Sequence, residues 1–198
     1  MLTLAHYPTA EEHVAMALNR LGRPSDHENI VDVARRLSAA ECDPDVADAA
    51  SVEDTSVGAH RHHHELLVRR ADIDPHLAEA LYALLGSQGL HPIYPDARHV
   101  LATLHGGGCR IGVVSDIHVD LRVHARRFEV DSFVDEWTLS FEIGAQKPDR
   151  RIFEHALDRL HADPARTLMV GDRATHDGAA VALGVTCLIL PALTQFGP

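Results

Sequence analysis

Apolar positions fall into two different patterns along the chain. From about Pro8 to Gly89 they recur at helical spacing; after Pro92 they gather into short runs separated by helical stretches. In T-A-E-E-H-V-A-M-A-L-N-R-L-G, Thr9 stands three residues ahead of Glu12 and Gly22 closes the stretch. That is a capping box followed by a helix stop. The next segment, S-D-H-E-N-I-V-D-V-A-R-R-L, places Ile30, Val33, Ala34 and Leu37 on one face of a second helix. Two more helices are predicted, over Asp54–Arg70 and Asp74–Leu85. The acidic, small-residue stretch from Cys42 to Thr55 reads as a connecting loop.

In the second half, Asp96–Leu104 reads as a helix stopped by Gly106-Gly107-Gly108. R-I-G-V-V-S-D follows as a short apolar run suited to a buried parallel strand. Helices are then predicted at Val119–Phe128, Asp149–Leu160 (opened by Pro148) and Gly178–Leu183. Strands are predicted at Trp137–Phe141, Thr167–Val170 and Thr186–Leu190. Strand–helix alternation of this kind points to an α/β fold with a doubly wound parallel sheet. The expected division is a helical region over 9–91 and an α/β region over 92–198.

Composition narrows the partners. The chain has 198 residues, 45% of them hydrophobic, and a formal net charge of −11 without a basic cluster. A nucleic acid or an anionic membrane is therefore not an expected partner. Three scattered cysteines, Cys42, Cys109 and Cys187, argue against a disulfide framework or a zinc knuckle, and the expected setting is a reducing cytoplasm. Oligomeric state stays open. The run R-H-H-H-E-L-L puts His60, His63 and His64 on one helical face, but without a paired-ligand motif it reads as a polar face that titrates near neutrality. The glycines of G-G-G-C-R-I-G precede a strand rather than follow one, the reverse of a dinucleotide loop.

Candidate chemistry lies where the apolar runs end, because ligands of open parallel sheets bind beyond the carboxyl ends of the strands. I-G-V-V-S-D ends in Ser115 and Asp116. L-M-V-G-D ends in Asp172, with Asp177 five residues on, and G-A-Q-K-P-D carries Lys147. Taken singly, Ser115 is an ordinary turn residue, Lys147 a solvated lysine, and the two acids a favourable feature of a helix N-terminus. Asp116 is either a substrate contact or a turn acid. Together they suit a phosphoryl group with a divalent cation. Asp172 and Asp177 offer hard oxygen ligands for Mg²⁺, Ser115 a hydroxyl, and Lys147 a fixed positive charge.

This set, in this order, resembles the haloacid dehalogenase (HAD) superfamily of hydrolases. V-V-S-D matches its second motif at Ser115, K-P-D-R-R-I-F its third at Lys147, and G-D-R-A-T-H-D its fourth at Asp172 and Asp177. The resemblance runs from Tyr94 to Pro191 and implies a Rossmannoid core, with the helical stretch as an inserted cap. It further implies a Mg²⁺-dependent phosphatase acting on a small phosphorylated metabolite. The dehalogenase branch dispenses with the metal and has less use for the acidic pair.

The family's nucleophile is an aspartate of a D-x-D motif ending the first core strand, and no apolar run ahead of the helical region ends that way. The first acids, Glu11 and Glu12, belong to a helix start. Residues 1–8 then read as the remainder of the core's first segment, with Thr3-Leu4 as the tail of the motif. The expectation is a late start codon that omits roughly 10–20 residues, one strand and its flanks, and a chain inactive as it stands. The competing expectation is a catalytically silent HAD-like domain that binds a ligand or partner.

Overall fold

A computed structural model describes residues 9–86 and 93–190. The segment 1–8, expected as the remainder of the core, lies outside them, as does the expected boundary near residue 91. The described residues form two compact units. One comprises 9–53 and 57–86, and the other 54–56 and 93–190.

The first unit is helical. Helix α1 (Ala10–Arg20) opens on the predicted capping box: the Glu12 amide donates to Thr9 Oγ1 at 3.2 Å and the Thr9 amide to Glu12 Oε2 at 2.7 Å. Helix α2 (His27–Ala40) is capped by Asp26. Val14, Ala17 and Leu18 of α1, Val33 and Ala34 of α2, and Leu77, Ala80, Leu81 and Leu84 of α5 (Pro75–Gly86) form its core.

Two expectations fail in this unit. The segment read as a loop contains a helix, α3 (Pro44–Ala50), started by Asp43 as N-cap and Pro44 at its first turn. Both signals are local, but the helix is only seven residues long. The histidine face of α4 (Val57–Arg70) is not a solvated polar face either, since His60 and His64 are buried. Both pack on the Tyr82 ring, and a His64 ring nitrogen lies 2.9 Å from the Ala78 carbonyl. Burial pushes the His64 imidazole below its ordinary value.

Asp74 starts α5 by accepting the amides of His76 and Leu77 at 3.1 and 3.2 Å, while the Arg23 guanidinium grips the same carboxylate at 2.5 and 2.9 Å. The Arg23 hydrogen bonds and then the amides lower this carboxyl to about 2. Because the folded value lies below the unfolded one, the stabilisation is complete above about pH 4 and is lost as pH falls towards the folded value. Asp74→Ala is expected to cost about 1 kcal/mol, mainly the lost cap, because the partly exposed ion pair is screened. Urea denaturation at pH 7 followed by far-UV circular dichroism measures it, and the deficit of the variant should shrink below pH 4.

In the second unit, α6 (Ala97–Gly106) ends at the predicted glycines. Strand β1 (Gly112–Ser115) pairs in parallel with β2 (Glu136–Leu139), Val113 opposite Trp137 and Ser115 opposite Leu139. Helices α7 (Leu121–Arg127) and α8 (Ser140–Ile143) flank β2 in sequence, and α9 (Arg150–Arg159) follows. Strand β3 (Leu168–Gly171) pairs in parallel with β4 (Thr186–Ile189). The predicted strand at Trp137–Phe141 thus stops at Leu139, where Ser140 begins a helical turn. The segment read as a helix at Gly178–Leu183 is a 3-10 helix, Asp177–Leu183. Asp149, not Pro148, opens α9, its carboxylate accepting the Arg151 amide.

The α/β class with parallel strands is as expected, and the described strands form two parallel pairs, β1–β2 and β3–β4. Helix α9 packs against both. Its Ile152 and Phe153 are buried in a cluster with Ala180 and Val185, against which Val114 of β1 and Met169 of β3 also pack. Parallel strands are ordinarily buried on both faces, yet neither β1 nor β3 is fully buried.

Candidate active site at the strand ends

The second unit gathers the predicted residues at the carboxyl ends of β1 and β3. Ser115 is the last residue of β1, Asp116 follows it, and Asp172 follows β3. Lys147 lies in the loop ahead of α9, and Asp177 begins the 3-10 helix after β3. Side chains join these loops. The Lys147 ammonium reaches Asp177 Oδ1 at 2.6 Å and the Val114 carbonyl at 3.5 Å, and the Lys147 amide donates to Asp116 Oδ1 at 2.8 Å. The other Asp177 oxygen accepts the amides of Asp172 and Arg173, each at 3.0 Å. Asp116, Lys147, Asp172 and Asp177 thus belong to one bonded set, and Ser115 joins it by its place on β1.

The Lys147–Asp177 pair is buried, with side-chain exposures of 11% and 3%. Burial by itself pushes the Asp177 carboxyl up. The Lys147 hydrogen bond and the two amides outweigh it, and the net displacement is downward. At Asp116 the balance is opposite: burial raises its carboxyl, Lys147 only partly offsets this, and the nearby Asp54 carboxylate adds to the rise. Lys147 is also the only lysine among the chain's 18 basic residues. A compact ammonium with three donors fits between a carboxylate and a strand carbonyl, where a planar guanidinium would not.

The two acids of the G-D-R-A-T-H-D segment are therefore not equivalent. Both Asp177 oxygens already accept hydrogen bonds, so its carboxylate braces the turn and holds the ammonium. Asp172 is half-exposed at the mouth of the strand. One such carboxylate completed by waters matches the way Mg²⁺ is commonly bound, so the donor set fits that ion.

Four further groups gather here that the sequence pattern did not single out: Asp54, His118, Ser140 and Gln146. The fully buried Ser140 hydroxyl donates to the Asp54 carbonyl at 2.6 Å and accepts the Ile117 amide at 2.8 Å. The Asp54 amide donates to Gln146 Oε1 at 2.9 Å, and Asp54 Oδ1 lies 3.3 Å from His118 Nδ1. Ser140 and Gln146 are 86 and 92 residues from Asp54 in sequence, so no local signal could have announced them.

A family model of haloacid dehalogenase-like hydrolases matches residues 2–184. The chain belongs to that family. It is 35% identical over 105 residues to the glyceraldehyde 3-phosphate phosphatase of Methanothermobacter thermautotrophicus, covering 52% of this chain and 46% of that protein. It is also 35% identical over 124 residues to the phosphatase of the same name from Methanopyrus kandleri, covering 60% and 53%. The chain thus spans about half the length of these curated relatives. The magnesium-bound HAD-hydrolase YfnB of Bacillus subtilis shares its fold with a TM-score of 0.68 at 14% identity, over 91% of this chain and 81% of that one. No helix among the described residues is long and apolar enough to cross a membrane.

Proposed function

We propose that this hydrolase is built for Mg²⁺-dependent phosphatase chemistry on a small phosphorylated metabolite. The observation that carries the reading is the buried Lys147–Asp177 pair, 2.6 Å long, which ties the loop ahead of α9 to the turn presenting Asp172. Two curated relatives are phosphatases of a small sugar phosphate, which supports the same substrate class. Asp172 would hold the Mg²⁺, with Asp177 acting from behind through the turn it braces. When bound, the ion would neutralise phosphoryl oxygens and so favour attack at phosphorus.

The protein's own groups do the rest. The Ser115 hydroxyl donates to a phosphoryl oxygen. The Lys147 ammonium, already held by Asp177 and the Val114 carbonyl, directs its remaining donor at another and stabilises the charge that develops there. Asp116 fixes the Lys147 backbone and through it the height of the ammonium. Neither a nucleic acid nor a membrane has a part in this reading.

A second reading is a silent domain that binds a phosphorylated ligand through the same groups. Both readings predict that these residues alone bind phosphate with Mg²⁺ and turn over an aryl phosphate negligibly. Isothermal titration with Mg²⁺ and inorganic phosphate should show mutual strengthening of the two, and Asp172→Ala should weaken Mg²⁺ at least about tenfold. Unchanged Mg²⁺ affinity in that variant would refute the assignment of Asp172. Robust Mg²⁺-dependent phosphate release that disappears with Asp172 would refute the expected inactivity and show that another group serves as nucleophile.

A further inference from the structure

Residues 54–56 cluster with the strand-bearing unit although the residues on either side of them belong to the helical one. Asp54 is held there by its backbone at two points. Its amide is fixed by Gln146, the residue before Lys147. Its carbonyl is fixed by Ser140, whose hydroxyl also holds the amide of Ile117, the residue after Asp116. The same two loops are pinned to each other by the Lys147 amide on Asp116. Asp54 therefore cannot shift without disturbing the loops that carry the phosphoryl-binding groups.

Its carboxylate is accordingly a fixed charge. It lies beside His118 with 22% of its side chain exposed, so a ligand can reach it. It is also near enough to Asp116 to add to the rise of that carboxyl. On this side of the site the carboxylates are Asp54, paired with His118, and Asp116, which holds the Lys147 amide, while the Lys147 ammonium is joined to Asp177. A hydroxyl of a bound ester can donate to Asp54; a second anion on the ester would meet Asp54 and Asp116 as like charges.

We propose that Asp54 is a specificity-determining residue that selects phosphate monoesters with an uncharged, hydroxyl-bearing organic part and rejects those with a carboxylate in the same place. His118 is its positioning partner. The proposal rests on the phosphoryl-site reading and names the substrate class of that site. Neutral hydroxyls gain a charge-assisted bond at Asp54, whereas juxtaposed like charges are a strong means of excluding a wrong ligand.

The test is isothermal titration of the intact chain in excess Mg²⁺ with inorganic phosphate, glycerol 3-phosphate and 3-phosphoglycerate, two esters that differ by a hydroxymethyl group against a carboxylate. Glycerol 3-phosphate is expected to bind at least about tenfold more tightly than 3-phosphoglycerate. Asp54→Asn should bring the two within about threefold while leaving the affinity for inorganic phosphate unchanged, and His118→Gln should reduce the ratio by a smaller factor. Equal affinities in the wild type, or an unchanged ratio in folded Asp54→Asn, would overturn the proposal with the phosphoryl site intact. No binding of inorganic phosphate would overturn the site reading itself, and this proposal with it. Should Asp54→Asn melt early, the wild-type ratio still decides.

Discussion

Lys147→Met is expected to cost the strand-bearing unit about 3–5 kcal/mol at pH 7, because it leaves the buried Asp177 carboxylate without its counter-charge. Trp137, the only tryptophan, lies on β2 of this unit and reports its unfolding. With Lys147 present, the folded Asp177 carboxyl lies below its ordinary value. The pair therefore contributes above the unfolded value of about 3.9, and the contribution is lost as pH falls through the folded one. Without Lys147, burial dominates and the folded value rises above the unfolded one. The penalty then applies above about pH 3.9 and eases as pH falls, so the deficit should be smaller at pH 5 than at pH 7. Adding Asp177→Asn should recover part of the loss, since a neutral amide is cheaper to bury than an unpaired charge. A deficit under about 1 kcal/mol, independent of pH, is the signature of a solvent-exposed pair and would refute the burial argument.

The groups at the strand ends were legible because each is the polar residue that stops an apolar run. Ser115 and Asp172 follow from that pattern, whereas Lys147 stops no apolar run and enters through the resemblance carried by K-P-D-R-R-I-F. The pattern could not divide the labour between Asp172 and Asp177. That depends on which carboxylate turns inward to meet Lys147, a contact 30 residues distant in sequence. Asp54 was hidden for the same reason, looking like the start of a helix while its function rests on Ser140 and Gln146. Helix α3 follows a local start signal, Asp43-Pro44, but its seven acidic and small residues bury only Val46, too little to show an apolar periodicity. His60 and His64 were read as polar by residue type, yet Tyr82 and Ala78 of α5 bury that face. The α/β class and the parallel strands were legible in the alternation of apolar runs and helices, but the pairing of each strand was not. Each run predicts a strand, but its neighbours are set by contacts made through α9, which a linear pattern does not encode.

Gly171→Ala should be as damaging as a charge deletion, although it adds one methyl group. Gly171 ends β3, and its carbonyl accepts the Leu190 amide at 2.8 Å, which keeps β3 beside β4. A Cβ there would run into the carboxylate and Cβ of Asp177. Asp177 cannot retreat, because Lys147 holds one oxygen and the Asp172 and Arg173 amides hold the other. Either the carboxylate leaves three donors unpaired in the interior or β3 pulls away from its partner. Overpacking and lost charge-assisted bonds together suggest about 3 kcal/mol. Gly112→Ala supplies the control: a Cβ at that position comes too close only to a terminal methyl of Leu160, a flexible group able to swing aside, and is in ordinary contact with the Glu136 carbonyl. It should cost under about 1 kcal/mol. The turn that presents Asp172 depends on the same carboxylate, so Gly171→Ala should also weaken Mg²⁺ binding with Asp172 still in place. Equal melting temperatures for the two alanine variants would mean that Asp177 has room to move, and its role as the brace of the site would fall with that result.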